Sequence, residues 1–467
     1  MKQTPWLAFA INRQLAVPVF EQICQAIRIQ AASSDLEEGT KLPPTRAFAT
    51  ELGVSRSTVV TAYEQLVAEG YLKSIQGSGY TVCSIGVVEL KEPAPQNKIA
   101  SRPALVHARP FLAGQPDMRL FPHKQWAKVV SRVCRTNPES LLFGGPAQGN
   151  VALCKAVANH VSDWRGIEAA PHQIIITAGS GDALEICIKT LTKSGATIGL
   201  ENPGYLPLRR YVKDLGITPI YLDVGPQGAS LPDRGCKADL VIITPSHQYP
   251  LGGSMSPSRR LEFIQWAQTH NRWIVEDDYD SEFRFAGRPI PAMAGFDQLN
   301  RTIYVGSFSK IFSNSLRLGY LIVPEGVIDQ FRATLAQTGV KASCMPQQAL
   351  AEFIESGEFY RHLRRMRRIY GDRRKFLLER LTRDFSQFGS FKNHHAGMQV
   401  VFHLREDISD KEVSQNAEVH GLNIQPLSSF VSEPSGLNGL LLGYCGFTES
   451  ELEVALRDLL SEIRRAA

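Results

Sequence analysis

Five short apolar runs rich in β-branched residues punctuate the middle of the chain: "QIIITAG" (173–179), "ATIGLE" (196–201), "DLVIITP" (239–245), "RWIVEDDY" (272–279) and "TIYVGSF" (302–308). Between them lie amphipathic helical patterns such as "GDALEICIKTLTK" and "SRRLEFIQWAQTH". Short strands that are apolar throughout, separated by helix-length segments, demand a parallel sheet buried on both faces by helices. From about residue 346 helical patterns dominate, and the strand-like "MQVVFHL" and "NGLLLGYCG" follow. That is a second, smaller α/β lobe. A chain of 467 residues exceeds a single core and implies two or three domains.

Residues 12–83 read differently. Val19, Ile23 and Ile27, with Phe20 beside them, recur at helical spacing. "TKLPPTRAFATELGVSRSTVVTAYEQLVAEGYL" then reads as two short helices about a tight turn. Thr45 is expected to cap the first and Ser55 the second, with Gly53 where the chain reverses and an apolar face of Val59, Ala62 and Leu66. "YLKSIQGSGYTV" is a hairpin signal about Gly77 and Gly79. Helix, helix-turn-helix and hairpin together make a winged helix-turn-helix (α+β). Residues 84–110, with prolines at 93, 95, 103 and 110, read as a linker.

Seven Lys/Arg balance seven Asp/Glu over residues 1–83. Nucleic-acid binding there must therefore come from where charges sit, not from bulk charge. No apolar run reaches the eighteen or so residues of a membrane span, and the N-terminus lacks a signal-peptide pattern. The eight cysteines (24, 83, 134, 154, 187, 236, 344 and 445) show no metal-ligand spacing. They read as reduced and mostly buried, in a cytoplasmic protein with no bound metal and no membrane partner.

Ligands of open α/β sheets bind at the carboxyl ends of the strands. After "IIIT" come Gly179, Ser180 and Gly181 opening a helix, a phosphate-suited terminus. Tyr205 follows in "ENPGY", Asp277 and Tyr279 in "EDDY", and Ser307, Ser309 and Lys310 in "GSFSK", with Arg317 beyond. A lysine amine, a carboxylate, a phenol, a stacking aromatic, hydroxyls and an arginine form the kit that pyridoxal 5′-phosphate needs. Each motif alone has a bland reading: most lysines after serines are surface residues, and "EDDYDSE" alone is a solvated acidic loop. The run "RHLRRMRRIYGDRR" (361–374) reads as a basic helical face of the small lobe rather than a nucleic-acid site.

"G.KLPPTRAFATELGVSRSTVVTAYEQLVAEGYL...G.GYTV" resembles the DNA-binding domain of the GntR family. By that resemblance the recognition helix runs from about Ser55 to Glu69, with Ser55, Arg56 and Thr58 at the major groove, Arg46 on phosphate or base, and Gly77 in a wing. Residues 111–467 resemble a fold-type I aminotransferase domain through "ENPGY", "TPSHQYP.G", "EDDYDSEFR" and "GSFSK......LRLGY". Head and body together resemble the MocR/GabR regulators. The resemblance implies that Lys310 carries the cofactor as an aldimine, that Asp277 pairs with the pyridine nitrogen, that Tyr279 bonds the ring hydroxyl and that Tyr205 stacks. Ser180, Gly181, Ser307, Ser309 and Arg317 would hold the phosphate. It further implies a homodimer, promoter DNA with repeated half-sites, a nucleoid-associated location, and an amino compound or pyridoxal 5′-phosphate itself as effector.

Three departures bear on activity. No arginine lies between Arg405 and Arg457, where an aminotransferase clamps its substrate carboxylate. Pro207 stands where GABA-responsive members carry a second arginine. Gly181 and Asp182 replace the usual glutamines. Little or no transamination is expected. The competing readings are a metabolic aminotransferase with a passive N-terminal module and a DNA-binding protein whose second domain is only a dimerisation scaffold.

Overall fold

The computed structural model describes residues 11–33, 35–84, 109–139, 145–233, 237–287, 290–433 and 436–467. They fall into two compact units, one N-terminal and one beginning just before Arg109. The expected linker lies almost wholly outside the described residues, as does Cys236.

In the N-terminal unit, α1 (Val19–Ala32), α2 (Thr45–Leu52) and α3 (Arg56–Ala68) pack on a hairpin of β1 (Leu72–Ile75) and β2 (Gly79–Val82). Ile23 and Ile27 of α1 meet Val59, Ala62 and Leu66 of α3 in one core. Gly53 ends α2 with φ 63°, a left-handed conformation that favours glycine. Ser55 caps α3, its side chain accepting from the Thr58 N–H at 3.1 Å. The expectation for Thr45 is corrected. It is the first helical residue of α2, and Pro44, which has no side-chain acceptor, occupies the cap position. A residue already in helical φ/ψ turns its side chain away from the first-turn N–H groups.

The C-terminal unit is built on an eight-stranded sheet of β3 (Ile174–Thr177), β4 (Thr197–Asn202), β5 (Thr218–Gly225), β6 (Gly228–Ala229), β7 (Leu240–Ile243), β8 (Trp273–Asp278), β9 (Thr302–Ser307) and β10 (Gly319–Ile322). The strand order is β3-β10-β9-β8-β7-β4-β5-β6. Strands β5, β4, β7, β8 and β9 run parallel, whereas β10 is antiparallel to both of its neighbours. The sheet is therefore mixed. The motif after Lys310 turns straight back into it, and that short return needs no crossover helix.

Around the sheet lie α4 (His123–Thr136), α5 (Val151–Arg165), α6 (Ser180–Leu191), α7 (Leu206–Asp214), α8 (Pro257–His270), the short α9 (Met293–Phe296) and α10 (Ile328–Thr338). Then come α11 (Met345–Glu355) and the long α12 (Glu358–Asp384). A smaller antiparallel sheet joins β11 (Gly389–Phe391), β12 (Gln399–Leu404), β13 (Gln425–Pro426) and β14 (Leu440–Gly443), with α13 (Asp410–Val419) and α14 (Glu449–Ala466) against it. Phe359, Leu363, Met366, Tyr370, Leu377 and Leu381 form the buried stripe of α12. The basic run lies on this helix: Arg361, Arg364, Arg365 and Arg368 are exposed, while Arg373 is buried against Asp117. Among the described residues no helix is long and apolar enough to cross a membrane.

Candidate functional site

Strand β8 sorts the acidic run by alternation, since successive side chains leave opposite faces. Glu276 and Asp278 point to one side. Glu276 accepts from the Met293 and Ala294 N–H groups at the start of α9. Asp278 pairs with Arg165 at 2.7 Å and accepts from the Tyr304 hydroxyl at 2.6 Å. Beyond the strand, Asp280 meets His247 Nδ1 at 2.8 Å and Glu282 faces His160. The run is thus no solvated loop; Glu276, Asp278, Asp280 and Glu282 are all buried.

Asp277, on the opposite face, differs. Its Oδ1 is buried without a partner, and it makes no hydrogen bond or ion pair among the described residues. Burial, with Asp278, Glu201 and Asp280 nearby, pushes its carboxyl up to about 7. A carboxylate desolvated without a hydrogen bond is costly, so this site suits a ligand that brings a buried N–H or a positive charge.

Lys310, three residues past β9, donates from Nζ to the Gly114 carbonyl at 2.9 Å. Burial lowers its ammonium from the ordinary lysine range, while Asp280 and Asp277 act the other way. A lysine so placed yields the neutral amine, the nucleophilic form, more readily than a surface lysine.

Between Asp277 and α7 lies a small pocket whose walls include Glu201, Tyr205, Arg209, Thr244 and Tyr249. Tyr205, at the N-cap position of α7, is 44 % exposed and stands edge-on to Tyr249, ring centroids 6.0 Å apart. Tyr249 in turn contacts Tyr279 at 5.7 Å and Phe430 at 5.5 Å. The Tyr279 hydroxyl lies 2.9 Å from His247 Nδ1. Burial pushes the Glu201 carboxyl up to about 7, and its Oε2 accepts from Thr244 and Gln248. Glu201, His247 and Tyr249 were missed as site residues. All three stood inside quoted strand-end motifs, the one signal that could have found them.

The other end of the site is the start of α6. Gly179 adopts φ 100°, and a side chain on Gly181 would meet nothing within 4 Å. Space is thus open beside Gly181 in the first turn of α6, where helix N–H groups have no intrahelical partner. Gly319 is required by close approach: a Cβ there would lie 2.9 Å from the Gly179 carbonyl carbon and the Gly306 oxygen. The unusual Asp182 accepts from the Ala178 N–H at 2.8 Å and faces Lys341 at 3.5 Å, which binds the loop to the helix. Ser307 is buried and accepts from the Ser309 N–H at 3.2 Å. Arg317 is not brought into this cluster by any hydrogen bond among the described residues; it is exposed, with a left-handed φ of 46°. For an arginine such a backbone is uncommon and must be held by its surroundings.

In the small lobe, Val401, Leu427, Phe430 and Leu441 form an apolar cluster against Leu206, Tyr249 and Leu251. The stretch without arginine supplies three of those side chains.

In the N-terminal unit, Arg46 and Arg56 are exposed, and Arg56 Nε reaches Thr45 Oγ1 at 3.4 Å. The Ser55 and Thr58 hydroxyls lie 2.7 Å apart, so capping occupies them. Gly77 sits in the hairpin turn with φ 78°.

Residues 20–82 match the family described as bacterial regulatory proteins, gntR family, and residues 113–459 match aminotransferase class I and II. A winged helix-turn-helix joined to an aminotransferase fold defines a transcriptional regulator whose second domain derives from an enzyme class. The chain belongs to the MocR/GabR-type regulators of the GntR family. It is 36% identical over 467 residues to the probable rhizopine catabolism regulatory protein MocR of Rhizobium meliloti, covering 97% of this chain and 95% of that one. It is 33% identical over 463 residues to the pyridoxine biosynthesis regulator PdxR of Corynebacterium glutamicum, covering 97% and 98%. Among solved structures, an archaeal alanine:glyoxylate aminotransferase shares the fold, with a TM-score of 0.71 at 24% identity over 78% of this chain and 92% of that one.

Proposed function

We propose that this regulator carries pyridoxal 5′-phosphate on Lys310 and senses either an amino compound that replaces the Lys310 amine or the cofactor itself. The observation that carries the reading is Asp277, a half-buried carboxylate whose Oδ1 is buried without a partner. Its assigned role is to hold the pyridine nitrogen protonated. Tyr279 takes the ring hydroxyl and Tyr205 the ring face. Ser180, Gly181, Ser307 and Ser309 hold the phosphate, and Arg317 joins them by turning inward. Bound there, the cofactor supplies a reactive carbonyl for primary amines and an electron sink.

An incoming amine would compete with the Lys310 amine for the cofactor's carbonyl, and a lysine so released would no longer tie the cofactor to the segment after β9. The coupling to DNA requires the effector to favour one conformation over the other. Arg46, Arg56 and the start of α3 meet promoter DNA, and a homodimer presents two such heads to repeated half-sites. The protein acts on the nucleoid in the cytoplasm. The relative named for pyridoxine biosynthesis supports the B6 reading.

Visible absorption of the purified protein tests it. Wild type shows a lysine-bound cofactor band, and Lys310→Ala shows only the free-cofactor spectrum. Identical spectra for the two proteins would remove Lys310 from its role. The intact Lys310 and Asp277 also favour a metabolic aminotransferase. That reading requires steady release of keto acid, against which the apolar cluster around Leu441 weighs.

A further inference from the structure

We infer that a pocket on the small-lobe side of Tyr279, made cationic by Arg374 and Lys392 with His394 beside them, binds the acidic group of the effector, a carboxylate or similar oxyanion carried on an amino compound. The inference rests on the cofactor reading above and chooses between its two effector classes. The pocket has Arg374, Lys392, His394, His247 and Gln399 as its polar walls and no acidic residue in its lining, and its free volume of about 10 Å³ is the room of one water-sized atom, such as a single carboxylate oxygen.

Arg374 is 7% exposed. Its Nη2 donates to Asn393 Oδ1 at 2.5 Å, while its Nε is buried without a partner. The neighbouring Arg373 and the buried Arg165 each pair with a carboxylate, at 2.8 and 2.7 Å. Arg374 has no such pair among the described residues. A guanidinium taken out of water without a counter-charge is costly, and an arriving oxyanion relieves that cost. Burial accordingly lowers the Arg374 proton affinity, and burial followed by His247, Lys392 and Arg374 pushes His394 down to about 4.

Two buried residues place this pocket beside the cofactor site. Gln399, 6% exposed, lies 3.5 Å through Nε2 from the Tyr279 hydroxyl, and its Oε1 is buried without a partner. His247 holds Tyr279 and Asp280 through Nδ1 and turns Nε2 toward the pocket: a Cβ at Gly252 would stand 3.4 Å from Nε2 and 3.2 Å from His394 Cδ2. An acid group here is therefore one side chain away from Tyr279. The pocket thereby offers an oxyanion site apart from the stretch between Arg405 and Arg457, which contains no arginine.

The full chain loaded with pyridoxal 5′-phosphate is titrated with 3-aminopropionate, 3-aminopropylphosphonate and, as the acid-free control, propylamine, following the visible band. Wild type should respond to the acid-bearing amines at concentrations at least about tenfold lower than to propylamine, the scale of one charge-assisted hydrogen bond. Arg374→Gln should abolish that preference without changing the propylamine response. Lys392→Ala, at an exposed position that does not threaten folding, should reduce it. No preference in wild type, or an undiminished preference in both variants, overturns the inference. A wild type without a lysine-bound band refutes the cofactor reading instead. The pocket is then judged by malonate, which should raise the unfolding temperature of wild type more than that of Arg374→Gln; equal shifts overturn it.

Discussion

Asp277→Asn should make the cofactor-free protein more stable while weakening its hold on pyridoxal 5′-phosphate. The native carboxyl titrates near 7 instead of near 3.8, because burial, then Asp278, Glu201 and Asp280, oppose its charge. A group whose folded proton affinity is raised costs nothing below its unfolded pKa, where it is protonated in both states. The cost grows as pH rises from about 4 and levels off above about 7. A proton affinity about a thousandfold above that of an ordinary aspartate corresponds to about 4 kcal/mol. The loss of attraction to Lys310 reduces the net gain from an amide, to about 2–4 kcal/mol. Urea unfolding of the cofactor-free wild type and variant at pH 5 and pH 8 measures it. The variant's advantage should be small at the lower pH and near its full value at the higher. With cofactor in excess the order should reverse, because only the carboxylate holds the pyridinium. An advantage independent of pH, or a variant less stable than wild type at pH 8, would show that Asp277 has a partner in the cofactor-free protein and remove the central argument for the site.

Gly319→Ala should push its new methyl into the backbone of Gly179 and Gly306, costing about 1–3 kcal/mol by overpacking and lowering cofactor affinity, read by equilibrium unfolding and absorbance. Arg165→Met should strand the Asp278 carboxylate, since the two pair at 2.7 Å in the interior; a loss of about 3–5 kcal/mol at neutral pH is expected by denaturant titration. Ser55→Ala removes the acceptor for the Thr58 N–H and should lower the stability of the N-terminal unit by about 1 kcal/mol, seen by circular dichroism of its melting. Arg56→Ala should weaken DNA binding and reduce the slope of log affinity against log salt by about one, measured by fluorescence anisotropy at several salt concentrations.

Much of this protein is legible without coordinates because it is written locally. The periodicity of α3, the Ser55 cap, the hairpin about Gly77 and the apolar strands each depend on residues within a few positions of one another. Lys310 and Asp277 could be named because strand ends in an α/β sheet are where ligands bind, and a strand end can be read from its own sequence. Thr45 went the other way: a residue with the right chemistry fell one position inside the helix, and a shift that small lies below the reach of pattern.

What the sequence determined by itself is the set of elements and the chemistry that each carries to the sheet's edge. Only the tertiary structure decided which acid of "EDDYDSE" is left without a partner, because Arg165, His247 and the start of α9 reach that run from distant parts of the chain. It likewise decided that Arg373 finds Asp117 while Arg374, the next residue, finds no carboxylate and faces His394 and Gln399. Adjacent residues on a helix point about 100° apart. What each one meets is settled by the elements packed around it, and those are brought there by the fold.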